Sequence, residues 1–126
     1  VNGMDLKKSK VGVMGVTFKE NCPDIRNSKI IDVVDEIKSW GINVIIDDPW
    51  ADPKELKESH GIHLETINSK NQVDALIVAV GHDVYRSKTA EELKSFCKGY
   101  NPVIADVKCI YKKKDLLEQK FSIFRL

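Results

Sequence analysis

The chain has 126 residues, of which 42% are hydrophobic and 31% charged, and its formal net charge is +1. That length suits one domain with a real core, and the near balance of 20 basic and 19 acidic residues gives no electrostatic case for nucleic acid or an anionic membrane. No apolar run approaches the ~20 residues that span a bilayer, and residues 1–10 carry no signal-peptide pattern.

The predicted elements follow in chain order. Residues 10–16 are β-rich and end at Gly15-Val16, a buried strand. Residues 17–27 are polar and contain Pro23, so they form a loop, and Ser28 is placed to cap the next helix. Ile30, Ile31, Val33, Val34, Ile37 and Trp40 repeat at helical spacing until Gly41 stops the helix. Residues 42–47 are a second strand, ending in the loop Asp47-Asp48-Pro49. Residues 51–59 are a polar helix with Leu56 inward and Gly61 at its end; residues 62–67 read as a short strand. The β-branched run 73–80 is a central strand. Thr89 caps a helix reaching Cys97, with Glu91 and Glu92 in its favourable first turn, and Gly99 stops it. Residues 102–107 are a strand, 113–119 a short helix and 121–126 a last strand or tail. Lys112, Lys113 and Lys114 read as a solvated helix start rather than a binding patch.

Strands thus alternate with helices, and continuous apolar strands imply a sheet covered on both faces. The expected fold is α/β: a doubly wound, mainly parallel Rossmann-like sheet with helices on both faces. Ligands of such sheets gather at the carboxyl ends of the strands, here residues 15–19, 47–49, 81–85 and 106–111. The odd set Cys22, Cys97 and Cys109 forms no CxxC pair and lacks metal-ligand spacing, which fits reduced thiols in a cytoplasmic protein. Cys97 follows Leu93 and Phe96 at helical spacing and belongs to the core; Cys22 lies in a polar loop and reads as a bystander thiol. No His, Cys and carboxylate cluster argues for a metal.

The first strand end has Gly12 and Gly15 but no GxGxxG fingerprint. It offers instead an extended loop with an aromatic, a lysine and an arginine. Phe18 can pack on a flat ligand surface, Lys19 can meet a phosphate as a point charge, and Arg26 can make a forked contact. The plainer reading is a surface loop whose cations pair with Glu20 and Asp24, and chemistry alone slightly favours it. His82, just after the central strand, is placed to touch a nucleotide or sugar, whereas His60 and His63 read as surface residues. Asp47 and Asp48 have the chemistry for a ribose or a cation, but before Pro49 they read more readily as turn formers.

Residues 15–28, with Gly15, Phe18, Lys19, Asp24, Arg26 and Ser28, resemble the GxxFKxxxxDxRxS signature that opens the C-terminal domain of UDP-glucose/GDP-mannose dehydrogenases. Asp48-Pro49 with Ala51 is similar to that family's DPxA loop. The run VTFKENCPDIRNS, with Ala79-Val80-Gly81-His82 and Asp106-Val107-Lys108, is most similar to the UDP-N-acetylhexosamine dehydrogenase branch.

The resemblance implies that residues 1–126 are a C-terminal UDP-sugar-binding domain, with an NAD-binding N-terminal domain and a central catalytic domain elsewhere in a longer enzyme. The opening at Val1, without Met, fits a fragment or processed chain. The implied reaction is the four-electron oxidation of a sugar C6 alcohol to a carboxylate by two NAD, serving surface-polysaccharide uronic acids, in a cytoplasmic homodimer. By position Phe18 and Lys19 contact the UDP-sugar, and Arg26 reaches NAD, which is bound mainly by the N-terminal domain. Lys108 stands where UDP-glucose dehydrogenases carry a substrate-binding arginine, a departure that weakens UDP-glucose as substrate. The family's catalytic cysteine and lysine are not carried over to any residue here, so the chain alone is expected to be inactive. Two other fold readings fit the sequence less well. A receiver domain needs its acidic pair after the first strand, not the second, and a stand-alone dinucleotide module with Asp47 on the ribose needs GxGxxG.

Overall fold

The computed structural model describes residues 9–26 and 28–124. Five strands form one sheet: β1 (Lys10–Met14), β2 (Asn43–Asp47), β3 (Ala75–Val78), β4 (Val103–Asp106) and β5 (Ser122–Phe124). Their order is β2-β1-β3-β4-β5, and every pairing is parallel. The helices are α1 (Lys29–Ser39), α2 (Pro53–His60), α3 (Asp83–Arg86), α4 (Ala90–Ser95) and α5 (Lys113–Glu118). The doubly wound parallel expectation therefore holds. In this strand order the winding direction reverses between β1 and β3, so the loops after those two strands diverge and leave a crevice.

Strand alternation divides the core. On one face Met14, Ile45, Leu76, Val78 and Ile104 meet Tyr85 of α3, Leu93 of α4 and Leu116 of α5. On the other, Val13 and Ile46 meet Ile31 and Val34 of α1 and Leu56 of α2. Helix α2 is polar apart from Leu56, whose complete burial contributes roughly 1.5–3 kcal/mol. Asp52 caps it by accepting from the Lys54 and Glu55 N–H groups, Pro53 opens it, and Gly61 closes it at φ 66°.

Three local expectations change. Residues 62–67 do not form a strand. Leu64 makes one parallel bridge to Ile46, and the chain then crosses beneath the sheet with Ile67 and Val73 against Gly12. A Cβ on Gly12 would lie 2.8 Å from Ile67 Cδ1 and 2.9 Å from Val73 Cγ1, so a larger residue at that strand position would force those side chains to shift. Ser28 occupies the N-cap position of α1 but makes no cap bond, because its hydroxyl donates to the Val16 carbonyl at 2.6 Å. Helix α1 is also less buried than its periodicity predicts, with Val33 and Trp40 exposed.

That last difference has a topological cause. The β3-to-β4 and β4-to-β5 connections run in the same direction along the sheet, so their helices α3, α4 and α5 all pack on one face. On the α1 face no helix of the described residues covers β4 and β5. Covering is therefore two-sided over β1 and β2 but one-sided farther along. Helices lie on both faces of the sheet, as expected, and where β4 and β5 lack one a trough remains.

Candidate functional site

The trough has a volume of about 570 Å³ and lies between α1 and the carboxyl halves of β3, β4 and β5. Its floor is small and apolar, with Ala79 and Ala105, while Val33 and Phe124 form its walls. Phe18, 55% exposed, stands at its edge, and the lysines Lys29 and Lys108 stand on its rim. Two of the three residues expected to bind substrate, Phe18 and Lys108, thus meet around one cavity although far apart in sequence. Lys19 is exposed on the same loop as Phe18 but does not line the trough, and among the described residues its ammonium has no ion pair. Arg26 opens on a different hollow, beside Ile31 and His60.

Arg26 is held by its neighbour. Its Nε lies 3.1 Å and its Nη2 3.2 Å from the two Asp24 oxygens, and its backbone N–H donates to Oδ1 at 2.8 Å. The bond from Arg26 draws the Asp24 carboxyl below its ordinary range, and Asp24 raises the guanidinium in turn. The plainer sequence reading, an arginine paired with Asp24, is therefore what the side chains do here. Two of the five guanidinium donors are used, and the group is 82% exposed, so a ligand anion can still be met.

Lys108 is placed by Asp106 at the end of β4. The buried Asp106 carboxylate accepts from the Ile110 and Tyr111 N–H groups at 3.1 and 2.9 Å, and Cys109 turns the chain at φ 52°. The turn throws Lys108 outward. Tyr111 in turn donates to the Tyr85 carbonyl at 2.6 Å, and Tyr85 donates to Asp47. Burial raises both phenols, with the Asp47 charge adding at Tyr85 and the Asp106 charge at Tyr111, so both remain hydrogen-bond donors. Asp47 also accepts from the Ile67 N–H at 2.9 Å. It is a strand-end fastener.

Asp48 and His82 depart most from a ligand role. Asp48 is buried and accepts from four backbone N–H groups: Val16 at 2.8 Å, Thr17 at 3.2 Å, Trp50 at 2.8 Å and Ala51 at 3.1 Å. This favours the turn-former reading of the acidic pair. His82 has no exposed surface, so the expectation that it touches a nucleotide or sugar is corrected. Its Nε2 lies 3.1 Å from Asp48 and 3.2 Å from Thr17 Oγ1, and its Nδ1 accepts the Asn21 N–H at 2.8 Å.

The same arrangement bears on NAD. A dinucleotide fold holds pyrophosphate on the N–H groups of its first strand–helix turn. Here the first two N–H groups after Gly15, those of Val16 and Thr17, are taken by Asp48. The residues present do not form a dinucleotide cradle after β1. Among the described residues there is also no group of three His, Cys, Asp or Glu placed to hold a metal ion. Cys97 is buried, as expected, and burial pushes its thiol up to about 12, which makes it a poor nucleophile. Cys22 is partly exposed and Cys109 exposed.

Sequence reasoning missed Lys29. A faint signal was present: it opens α1, where a cation opposes the helix dipole. The His82–Asp48 pairing had no sequence signal, since 34 residues separate the two.

These features define a doubly wound parallel α/β domain with a ligand-sized trough at its strand ends. The chain belongs to the UDP-glucose/GDP-mannose dehydrogenase family, with residues 12–113 matching that family's UDP binding domain. A UDP-N-acetyl-D-glucosamine 6-dehydrogenase of Salmonella typhi is 41% identical over 108 residues, covering 86% of this chain and 25% of that protein. The enzyme of the same name from Pseudomonas aeruginosa is 34% identical over 118 residues, covering 94% and 26%. The solved NDP-N-acetyl-D-galactosaminuronic acid dehydrogenase from Methanosarcina mazei Go1 shares the fold, with a TM-score of 0.86 at 24% identity over 98% of this chain and 26% of that one. The chain spans about a quarter of the length of these relatives. Family membership removes the receiver and stand-alone dinucleotide readings.

Proposed function

We propose that this chain is the C-terminal UDP-sugar-binding domain of an NAD-dependent nucleotide-sugar 6-dehydrogenase, which oxidises a UDP-N-acetylhexosamine to its uronate for surface-polysaccharide synthesis. The observation that carries the reading is the meeting of Phe18 and Lys108 around one trough at the strand ends, in a chain of this family. The names of the relatives from Salmonella typhi and Pseudomonas aeruginosa support the N-acetylhexosamine branch. The longer enzyme would act in the cytoplasm as a homodimer.

In this reading Phe18 offers its exposed ring to a flat or apolar part of the ligand, while Lys19 and Lys108 supply mobile cations to the diphosphate. Arg26 faces the other way, towards the NAD carried by the N-terminal domain. Bound there, NAD supplies the hydride acceptor for the C6 oxidation. The side chains of this domain bind and orient the nucleotide sugar, and the reacting groups belong to the rest of the enzyme.

Lys19 gives the direct test. A hydrogen bond to a charged group is worth roughly 1.5–3 kcal/mol. At about 1.4 kcal/mol per decade its loss weakens binding on the order of ten- to a hundred-fold. Calorimetric titration of the UDP-sugar into folded full-length Lys19→Ala enzyme measures the change. Unchanged affinity would reduce Lys19 to an ordinary surface charge and remove its role.

A further inference from the structure

The loop that carries Phe18 and Lys19 has little apolar anchorage of its own. Residues 18–21 are all exposed, and the loop's buried apolar side chains, Val16 and Ile25, lie at its two ends. What fixes the stretch between them is polar: within the loop the Phe18 N–H donates to the Asp24 carbonyl at 2.6 Å, and the tip is held from the segment after β3. The Asn21 N–H donates to His82 Nδ1 at 2.8 Å, and Asn21 Oδ1 accepts the Asp83 N–H at 3.0 Å. Asn21 is therefore clamped twice to the segment after β3, and its φ of 53° makes this the sharp point of the turn. On the other side of the ring, Thr17 Oγ1 lies 3.2 Å from His82 Nε2 and donates its own proton to the Lys19 carbonyl at 3.0 Å.

These bonds settle the tautomer. Nδ1 receives an N–H, so it is unprotonated, and Nε2 carries the hydrogen, shared between Asp48 and Thr17 Oγ1. Asp48 holds the ring in this orientation, as a carboxylate behind an imidazole does elsewhere. The ring touches the backbone or side chain of residues on both sides of Phe18-Lys19 and has no exposed surface itself.

We infer that His82 is a positioning residue for nucleotide-sugar recognition: held by Asp48, its imidazole fixes the turn that aims Phe18 and Lys19. This rests on the reading that those two residues bind the UDP-sugar. The two edges of the ring have separate jobs. The Nε2 edge ties the loop root to Asp48, and the Nδ1 edge sets the turn.

The two edges can be removed one at a time in the full-length enzyme. In His82→Asn the amide oxygen replaces Nδ1 and keeps the bond from Asn21, while the donor to Asp48 is lost. In His82→Gln the amide nitrogen replaces Nε2 and keeps Asp48 bonded, while the acceptor for Asn21 is lost. Calorimetry with UDP, the Michaelis constants for UDP-N-acetylglucosamine and NAD, and thermal melting are measured for both. His82→Gln should weaken UDP and raise the sugar Michaelis constant about three- to tenfold, the equivalent of one ordinary hydrogen bond, with the NAD constant unchanged. His82→Asn, which keeps the bond from Asn21 but loses the hold of Asp48, should weaken UDP less than His82→Gln does, even where it melts earlier. Asn21→Gly, which keeps the turn's φ and the backbone bond to His82 and removes only the exposed clamp to Asp83, should weaken UDP in the same sense, and it tests the turn on which the inference depends if His82→Gln does not fold. UDP affinity that tracks melting temperature across these variants, or that is unmoved in both His82→Gln and Asn21→Gly, overturns the inference. Lys19→Ala separates the two claims. If it weakens UDP while the positioning variants do not, only the inference fails; if it has no effect, the binding assignment beneath it fails.

Discussion

Asp48 and Arg26 show how the same charge chemistry takes opposite roles according to burial. The Asp48 carboxylate is buried and saturated by four backbone N–H groups, so it organises the chain around itself. A buried carboxylate demands such satisfaction. Arg26 stands in solvent with its fork half used, so its pairing with Asp24 orients it without consuming it. Its expected role is towards NAD. Arg26→Ala in the full-length enzyme should raise the NAD Michaelis constant about tenfold, near the low end for a charged hydrogen bond because exposure screens it. The UDP-sugar constant should stay within error in steady-state kinetics. A defect confined to the UDP-sugar refutes the assignment. The sequence drew attention to Phe18, Lys19 and Arg26 as loop residues near a strand end, and the family resemblance supplied their expected roles and the attention to Lys108. It could not show that His82 is enclosed, because burial depends on partners distant along the chain.

At the scale of the element, helix starts differ in what their first residues do. In α2, Asp52 accepts from two N–H groups and Pro53 fills the first helical position. Thr89 and Glu92 form a reciprocal capping box at α4. In α1, Ser28 leaves the helix uncapped and spends its hydroxyl on the Val16 carbonyl, so it ties the helix start back to the strand end beside the trough. Removing the α2 cap with Asp52→Ala should cost about 0.5–2 kcal/mol. Chemical denaturation should register that loss while UDP titration does not change, since α2 does not line the trough. A parallel loss of UDP affinity would mean that α2 is coupled to the site. Capping is local, so Gly61 at the end of α2, and Thr89 with Glu92 at the start of α4, were read from sequence, while the Asp52 cap was not. The failed strand at 62–67 was not: a segment with Ile62, Leu64 and Ile67 among polar residues suits either a strand or a crossing segment, and here Leu64 makes a single bridge while Ile67 packs against Gly12.

For the whole molecule, the reversal of winding between β1 and β3 and the one-sided covering of β4 and β5 create the trough and set the division of labour. Because Asp48 takes the Val16 and Thr17 N–H groups, β1 offers no pyrophosphate cradle. The isolated 126-residue chain should therefore give no NAD reduction with UDP-N-acetylglucosamine, followed by absorbance, whereas the longer enzyme should. Turnover by the pure chain contradicts this division. The sequence by itself determined the alternation of strands and helices, the parallel sheet, the Thr89 cap, the Gly61 stop and the loop that carries Phe18, Lys19 and Arg26. All of these follow from periodicity, turn chemistry or a contiguous motif, which act over a few residues. The tertiary structure alone decided that Phe18 and Lys108 share a cavity, that Lys29 joins them, and that His82 lies behind the loop with Asp48. Those outcomes depend on strand order and on which sheet face each crossover takes, and such long-range geometry is fixed only when the whole core packs.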